Sequence, residues 1–538
     1  MAQGADTLVK LICPTLGPRT RTVMVERGMG RHVAPDVLAD AGTIARRLVA
    51  LPNADDDVGA MLLRHALWRV QERAGDAVAT TAVLFQAISR HARAYIAAGG
   101  NAMQMRAGLL RAADAAGEAL GAQAQPLDFQ NGAMRRWVSA QCDDSVLADA
   151  LAEVLSSSGA DVTVQVDKAH SVGITWEFMR GALWRTGWHA SPFAPGEHAY
   201  SQNLMLRMPN ARVLVSDLDL SDPCHMEPLL MAMVRLKPAR LLVVCRQASP
   251  QMLALFVQAR QQGLGDAVFV KPPASSGPDR AALLTDMAML TGATFIPNVE
   301  GMHGSGSAVN LETLLPGCLG QADVAWASEQ FMGIEAGESG GDRTAQMDYL
   351  RRLDEACVAE DDPARVRFYQ ARMATFGSGV IRLMIGGPTE AEQTRRCAQA
   401  ERITRLAAQV NRYGVVPGAG KALLLCEPAV QKVIAGLEHA DARFGAECLA
   451  RALASPMRAI AHNAGLDGAA VEQRNRTCRR GWAVDVLRDK TVDLRAAGIV
   501  DSAFALQLAV RTAASAASMF MTTDVIVHRR QTETALRP

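Results

Sequence analysis

The periodicity of the apolar residues changes twice along the chain, and that order limits the fold more than any single motif does. Leu8, Leu11 and Ile12 share one face of a helix over residues 5–13, which Pro14 and Gly17 end. A strand-like run at 22–25 and a helix at 43–49 follow. Met61, Leu62, Leu67 and Val70 recur at helical spacing over 58–73, and further helices are predicted to about 98 and over 102–122. The middle differs. Val162–Val166 alternates as a strand does, and 212–216 and 240–244 are short continuous apolar runs with helices at 226–236 and 252–261. After a strand at 380–385, residues 390–412 and nearly everything to 527 read as helix again. Helical, α/β, helical is the order expected when the two chain ends fold together and the middle is an excursion.

A chain of 538 residues exceeds one ordinary domain, and 49% hydrophobic with 21% charged residues suits large buried cores. A formal net charge of +1 gives no electrostatic reason to expect nucleic acid or an anionic membrane. Ten cysteines without a Cys-x-x-Cys pair argue against a zinc site or disulfide framework and fit a reducing, cytoplasmic setting. Unbroken apolar runs such as Leu241–Cys245 are strand-sized, far short of a membrane span.

Several local patterns could carry chemistry. Gly75-Asp76 heads a helical run, where a phosphate and its metal ion are readily held, yet Ala77, Val78 and Ala79 offer no hydroxyl. Asp76 by itself also reads as a helix cap. Gly414–Lys421 resembles a P-loop, but Gly414 lies one residue too far from Gly420-Lys421, and Ala422 stands where Ser or Thr would hold magnesium. It reads instead as a glycine-rich turn. Gly301–Gly306 and Gly337–Gly341 read as surface loops.

The order of these signals is distinctive. Thr15-Leu16-Gly17-Pro18 comes first, then Gly75-Asp76 before a Thr-bearing helix, then Gly418-x-Gly420, then Gly498-Ile499-Val500-Asp501 and Met521-Thr522-Thr523-Asp524. Arg180-Gly181-Ala182, Gly187–Phe193, Leu290–Thr294 and Leu319–Ala322 continue the series. The chain thereby resembles a divergent member of the GroEL-type (group I) chaperonins over nearly its whole length. The resemblance implies a multidomain α and α/β fold. Its helical equatorial domain would take residues 1–122 and 413–538, a small intermediate domain 123–179 and 381–412, and an α/β apical domain 180–380. It also implies ATP and magnesium as cofactors and unfolded or partly folded polypeptides as partners. A heptameric ring, homo-oligomeric or mixed, and a possible co-chaperonin lid are implied as well.

On that resemblance the nucleotide site comprises Thr15, Leu16, Gly17, Pro18, Asp40, Asp76, Ala77, Val78, Ala79, Thr80, Ala419 and Asp501, with Asp76 as the metal ligand. The family carries Gly-Asp-Gly-Thr-Thr-Thr at the phosphate loop. Here Ala77 replaces the second glycine, and Val78 and Ala79 the first two threonines. Each hydrogen bond lost to a charged group costs about 1.5–3 kcal/mol, so phosphate binding would weaken on the order of a hundredfold or more. Ala77 also adds strain if its backbone must be glycine-like. Two catalytic aspartates of the family fall at Ala41 and Arg402, with Asp40 a neighbour that would point elsewhere. An arginine cannot act as a base near neutral pH. Since positioning and charge stabilisation supply most phosphoryl-transfer catalysis, little or no ATP hydrolysis is expected. The apical positions matching the family's peptide-binding groove are Phe193, Leu229, Leu230, Met233, Val234, Leu253, Phe256 and Val257. Read without the resemblance, the helical ones equally suit the core of amphipathic helices.

Overall fold

The computed structural model describes the chain except residues 20, 22, 26–35, 39, 128–131, 143, 159–162, 170, 180, 193–204, 237–239, 274–276, 299–314, 316, 330, 337–340, 361, 377–378 and 529–538. Phe193, Gly301–Gly306 and most of Gly337–Gly341 lie outside the described residues. The chain forms two compact units, one of Met1–Ala160, Val166–Thr175 and Met384–Pro538, the other of Asp161–Gln165 and Trp176–Leu383.

The first unit is built on helices, among them Ala2–Ile12, Ala54–Ala74, Val78–Ala97, Ala102–Gln123, Ala440–Ala452 and Ala503–Met521. Local sequence fixes their ends. Asn53 accepts from the amides of Asp55 and Asp56, whose carboxylates, with that of Asp57, suit the positive end of the helix. Asn101 and Ser502 cap their helices in the same way. Gly75 in the left-handed conformation closes Ala54–Ala74.

Small residues let these helices approach closely. A Cβ on Gly108 would lie 1.8 Å from the carbonyl oxygen of Ala442, and one on Gly445 would lie 2.1 Å from that of Met105. The Ala102–Gln123 and Ala440–Ala452 helices therefore cross in backbone contact. Leu8, Leu63, Leu84, Leu109, Leu449 and Val510 fill one shared core drawn from both chain ends. The Ala503–Met521 helix is long and apolar enough to cross a membrane by length and composition, a test that a buried core helix also passes. Its Val510, Ala513, Ala514 and Ala517 are wholly buried in this core.

The second unit has a six-stranded sheet in the order Asp266–Val270, Arg240–Val244, Met205–Val215, Gly320–Ser328, Met332–Glu335 and Ala182–Trp184. The first three are mutually parallel and the other pairings antiparallel. Alternation explains the continuous apolar runs. Val213, Leu242 and Val268 face Leu284 and Met287 of the Gly277–Thr291 helix. Leu214, Leu241 and Phe269 face Leu229, Met233, Met252 and Phe256 of the helices Met226–Arg235 and Pro250–Gln261. Both faces are covered, so both sets of alternate residues must be apolar. A buried cluster pins two further helices to this layer. Arg372 donates to both carboxylate oxygens of Asp286 at 2.8 and 2.9 Å, and the Tyr349 hydroxyl donates to the same carboxylate at 2.7 Å.

Candidate functional site

Four segments of the first unit supply the nucleotide-site residues named from sequence. In the first, Thr15 is buried and its hydroxyl donates to the Ile12 carbonyl at 2.7 Å, so it serves the preceding helix. Asn463 holds the turn by donating to the carbonyls of Cys13 and Leu16, both at 2.8 Å, ahead of Gly17 with φ +97° and Pro18. In the second, Asp40 caps the Ala41–Arg47 helix, accepting from the Thr43 amide and hydroxyl at 2.7 Å each. The helix expected at 43–49 therefore starts earlier: Ala41 and Gly42 form its first turn because the Asp40 side chain satisfies the otherwise unpaired Thr43 amide.

The third segment is the loop between Ala54–Ala74 and Val78–Ala97. Gly75 and Ala77 both have positive φ, +66° and +63°, and the latter is the left-handed region that costs an L-residue energy. No side chain caps the following helix. Val78, Ala79 and Thr80 are buried in its first turn, and the Thr81 hydroxyl returns to the Ala77 carbonyl at 2.8 Å. The fourth segment pairs Val415–Pro417 antiparallel with Val500–Ser502, setting Val416 opposite Asp501. Ala419, with φ +54°, repeats the strain of Ala77. Lys421 turns inward and donates to the backbone carbonyls of Asn475 and Cys478, so the Gly414–Lys421 look-alike directs no lysine to a phosphate.

Asp76, Asp501 and Arg402 come together. Burial, and secondarily the Asp76 carboxylate, push the Asp501 carboxyl up to about 7. Arg402 stands on the Glu390–Tyr413 helix; its Nη1 lies 3.7 Å from Asp76 Oδ1 and its Nη2 donates to the Gln141 carbonyl at 2.9 Å. The donor set suits a divalent metal poorly. Asp76 already faces a guanidinium, Asp40 is committed to a helix cap, and among the described residues no three His, Cys, Asp or Glu side chains form a metal-holding group. Ala41, the other position expected to carry a carboxylate, packs its methyl against the helical core.

Residues 225–531 match the TCP-1/cpn60 chaperonin family. The chain belongs to that family. It is 29% identical over 528 residues, 97% of this chain and 89% of the relative, to "Chaperonin GroEL 1" of Rhodopirellula baltica. Solved chaperonins share the fold: a group III chaperonin in its open state, with TM-score 0.68 and 17% identity, covers 98% of both chains. The chaperonin gp146 of bacteriophage EL, crystallised with ATP-BeFx, has TM-score 0.68 and 16% identity, covering 98% of this chain and 97% of its own. The multidomain α and α/β chaperonin fold expected from the sequence is therefore present, and the protein is a folding chaperonin by family.

In this chaperonin the helices Met226–Arg235 and Pro250–Gln261 divide the residues named from sequence. Leu229, Met233 and Phe256 are core, with at most 1% of their surface exposed, and are not available to a polypeptide. Leu230, Leu253 and Val257 are half-buried, while Val234 and Met231 are each 49% exposed. The free apolar face is thus narrower than the sequence pattern, because period alone cannot say which apolar side faces the sheet.

The sequence reading passed over Arg405 and Gln409. They follow Arg402 at i+3 and i+7 and so share its face of the helix. A Cβ on Gly75 would lie 3.1 Å from Arg405 Cδ, and Gln409 donates to the Arg73 carbonyl at 3.1 Å. Their helical spacing was the available signal.

Proposed function

We propose that this chaperonin binds unfolded polypeptides and assists their folding with a degenerate ATP site that hydrolyses ATP little or not at all. The observation that carries the reading is the Arg402–Asp76 pair. A cation stands where the family places a water-orienting carboxylate, and Ala41 removes the other. ATP, if bound, would meet Asp76, the buried turn of Val78–Thr80, and the two strained alanines. Those features favour weak binding over turnover. Polypeptide capture would use the face of Leu230, Val234, Leu253 and Val257, joined by Met231. Aliphatic and methionine side chains accept varied apolar segments. The assembly would be a heptameric ring, of this chain alone or mixed with an intact relative, with or without a co-chaperonin lid. An ATP-driven chaperonin with an altered pocket is the second reading, favoured by the retained Asp76 and Asp501.

Steady-state ATPase measurement at high protein concentration, with calorimetry of nucleotide binding, tests the proposal. We expect no turnover above background; turnover at the rate of an ordinary chaperonin would overturn it. Light scattering tests the ring, and a monomer would contradict it.

A further inference from the structure

We infer that Arg402 is a resident cation at Asp76 that takes the place of a divalent metal, latching the Glu390–Tyr413 helix onto the Arg73–Ala77 loop without nucleotide or metal. The inference rests on the degenerate-site reading and says what the altered site does instead.

One stripe of the helix makes the contacts. Arg402 reaches Asp76 at 3.7 Å, Arg405 lies over Gly75, and Gln409 donates to the Arg73 carbonyl at 3.1 Å. Positions i, i+3 and i+7 of a helix fall on one side, so the three address consecutive parts of one loop together. Arg402 is itself oriented, because its second terminal nitrogen donates to the Gln141 carbonyl. Three residues on, Asp144 receives Arg396 of the same helix at 2.6 Å. The helix is therefore held at Gln141 and Asp144 and at the Arg73–Ala77 loop.

The charges explain why a metal would not enter. A dication on Asp76 would stand within a few ångströms of the Arg402 guanidinium and be repelled by it. Among the described residues no three His, Cys, Asp or Glu side chains gather to hold an ion there. The ion pair is half-exposed, with side-chain exposures of 27% and 40%, so it is weak alone. The latch depends on the five contacts acting together.

Two measurements on the full chain test this. Manganese binding, followed by electron paramagnetic resonance with and without ADP, should show no site-bound ion in the wild type. Arg402→Asp, which restores a carboxylate, should raise manganese affinity at least tenfold. Hydrogen exchange of amides at residues 73–81 and 396–409 should be unchanged by magnesium and ADP in the wild type, and about twofold to fivefold faster in Arg402→Gln and Asp76→Asn. If Arg402→Asp does not fold, Asp76→Asn keeps the Gln141 anchor and carries the exchange measurement. Wild-type manganese binding as tight as in Arg402→Asp, or a change of about twofold or more in wild-type protection on adding nucleotide, would overturn the latch. ATP turnover with protection unchanged would instead refute the non-hydrolysing reading and leave the latch standing.

Discussion

Replacing Ala77 by glycine should stabilise this chaperonin, whereas the same replacement on a helix surface should destabilise it. Ala77 sits at φ +63°, ψ 14°, a conformation that costs an L-residue about 1–2 kcal/mol. Glycine relieves that strain but adds unfolded-chain entropy worth about 0.5–1 kcal/mol. Ala77 is half-buried against the helical core, so losing its methyl costs a further few tenths of a kcal/mol, roughly half a buried methylene. The net gain is about 0.5 kcal/mol. The control is Ala107→Gly, at an exposed position inside the Ala102–Gln123 helix, with an expected loss of about 1 kcal/mol. The chemical change is identical, so the unfolded-state term cancels and the difference, about 1.5 kcal/mol, reads the backbone strain. Thermal melting followed by circular dichroism in one buffer suffices. The Ala77→Gly protein should melt about 1–2 °C above wild type and Ala107→Gly about 2–3 °C below it. Equal destabilisation of both would refute the assignment of strain. Ala419→Gly, at φ +54°, should repeat the gain.

Three further outcomes are expected. Asp501→Asn should flatten part of the pH dependence of stability. The folded carboxyl titrates near 7, above its unfolded value, so it costs stability as pH rises from about 4 to 7, and the full cost, on the order of 2–4 kcal/mol, persists above that range. Denaturant midpoints of wild type and variant at pH 5.5 and 8 would show it, and a parallel pair of profiles would refute it. Arg372→Ala leaves Asp286 buried without its guanidinium and should destabilise the second unit by about 3–5 kcal/mol, read as faster limited proteolysis; Asp286→Asn in the same background should recover part of the loss. Met231→Ser with Val234→Ser should reduce capture of a denatured test protein while leaving melting within about 1 °C, since both are half-exposed; Leu229→Ala, at a wholly buried position, should cost about 2–5 kcal/mol.

The sequence by itself determined most of the helices, because caps, glycines and apolar period are local, but the short strands Val415–Pro417, Trp482–Asp485, Lys490–Asp493 and Val500–Ser502 lie in a stretch that reads as helix, since so few residues carry no period of their own. Asn53, Asn101 and Gly75 end their helices wherever the rest of the chain lies. It also settled that Ala41 and Ala79 offer no side-chain ligand atom in any fold. Tertiary structure decided which groups meet. Arg402 lies far along the chain from Asp76, and only the path of the Glu390–Tyr413 helix sets its guanidinium 3.7 Å from that carboxylate. Burial was likewise undecided: Leu229 and Met231 lie two residues apart on one amphipathic helix, and the sheet beneath makes one core and leaves the other free. Periodicity defines a face; what covers it is a long-range fact. The positive φ of Ala77 and Ala419 belongs to the same class, because alanine carries no preference for that conformation and only the surrounding packing holds it there.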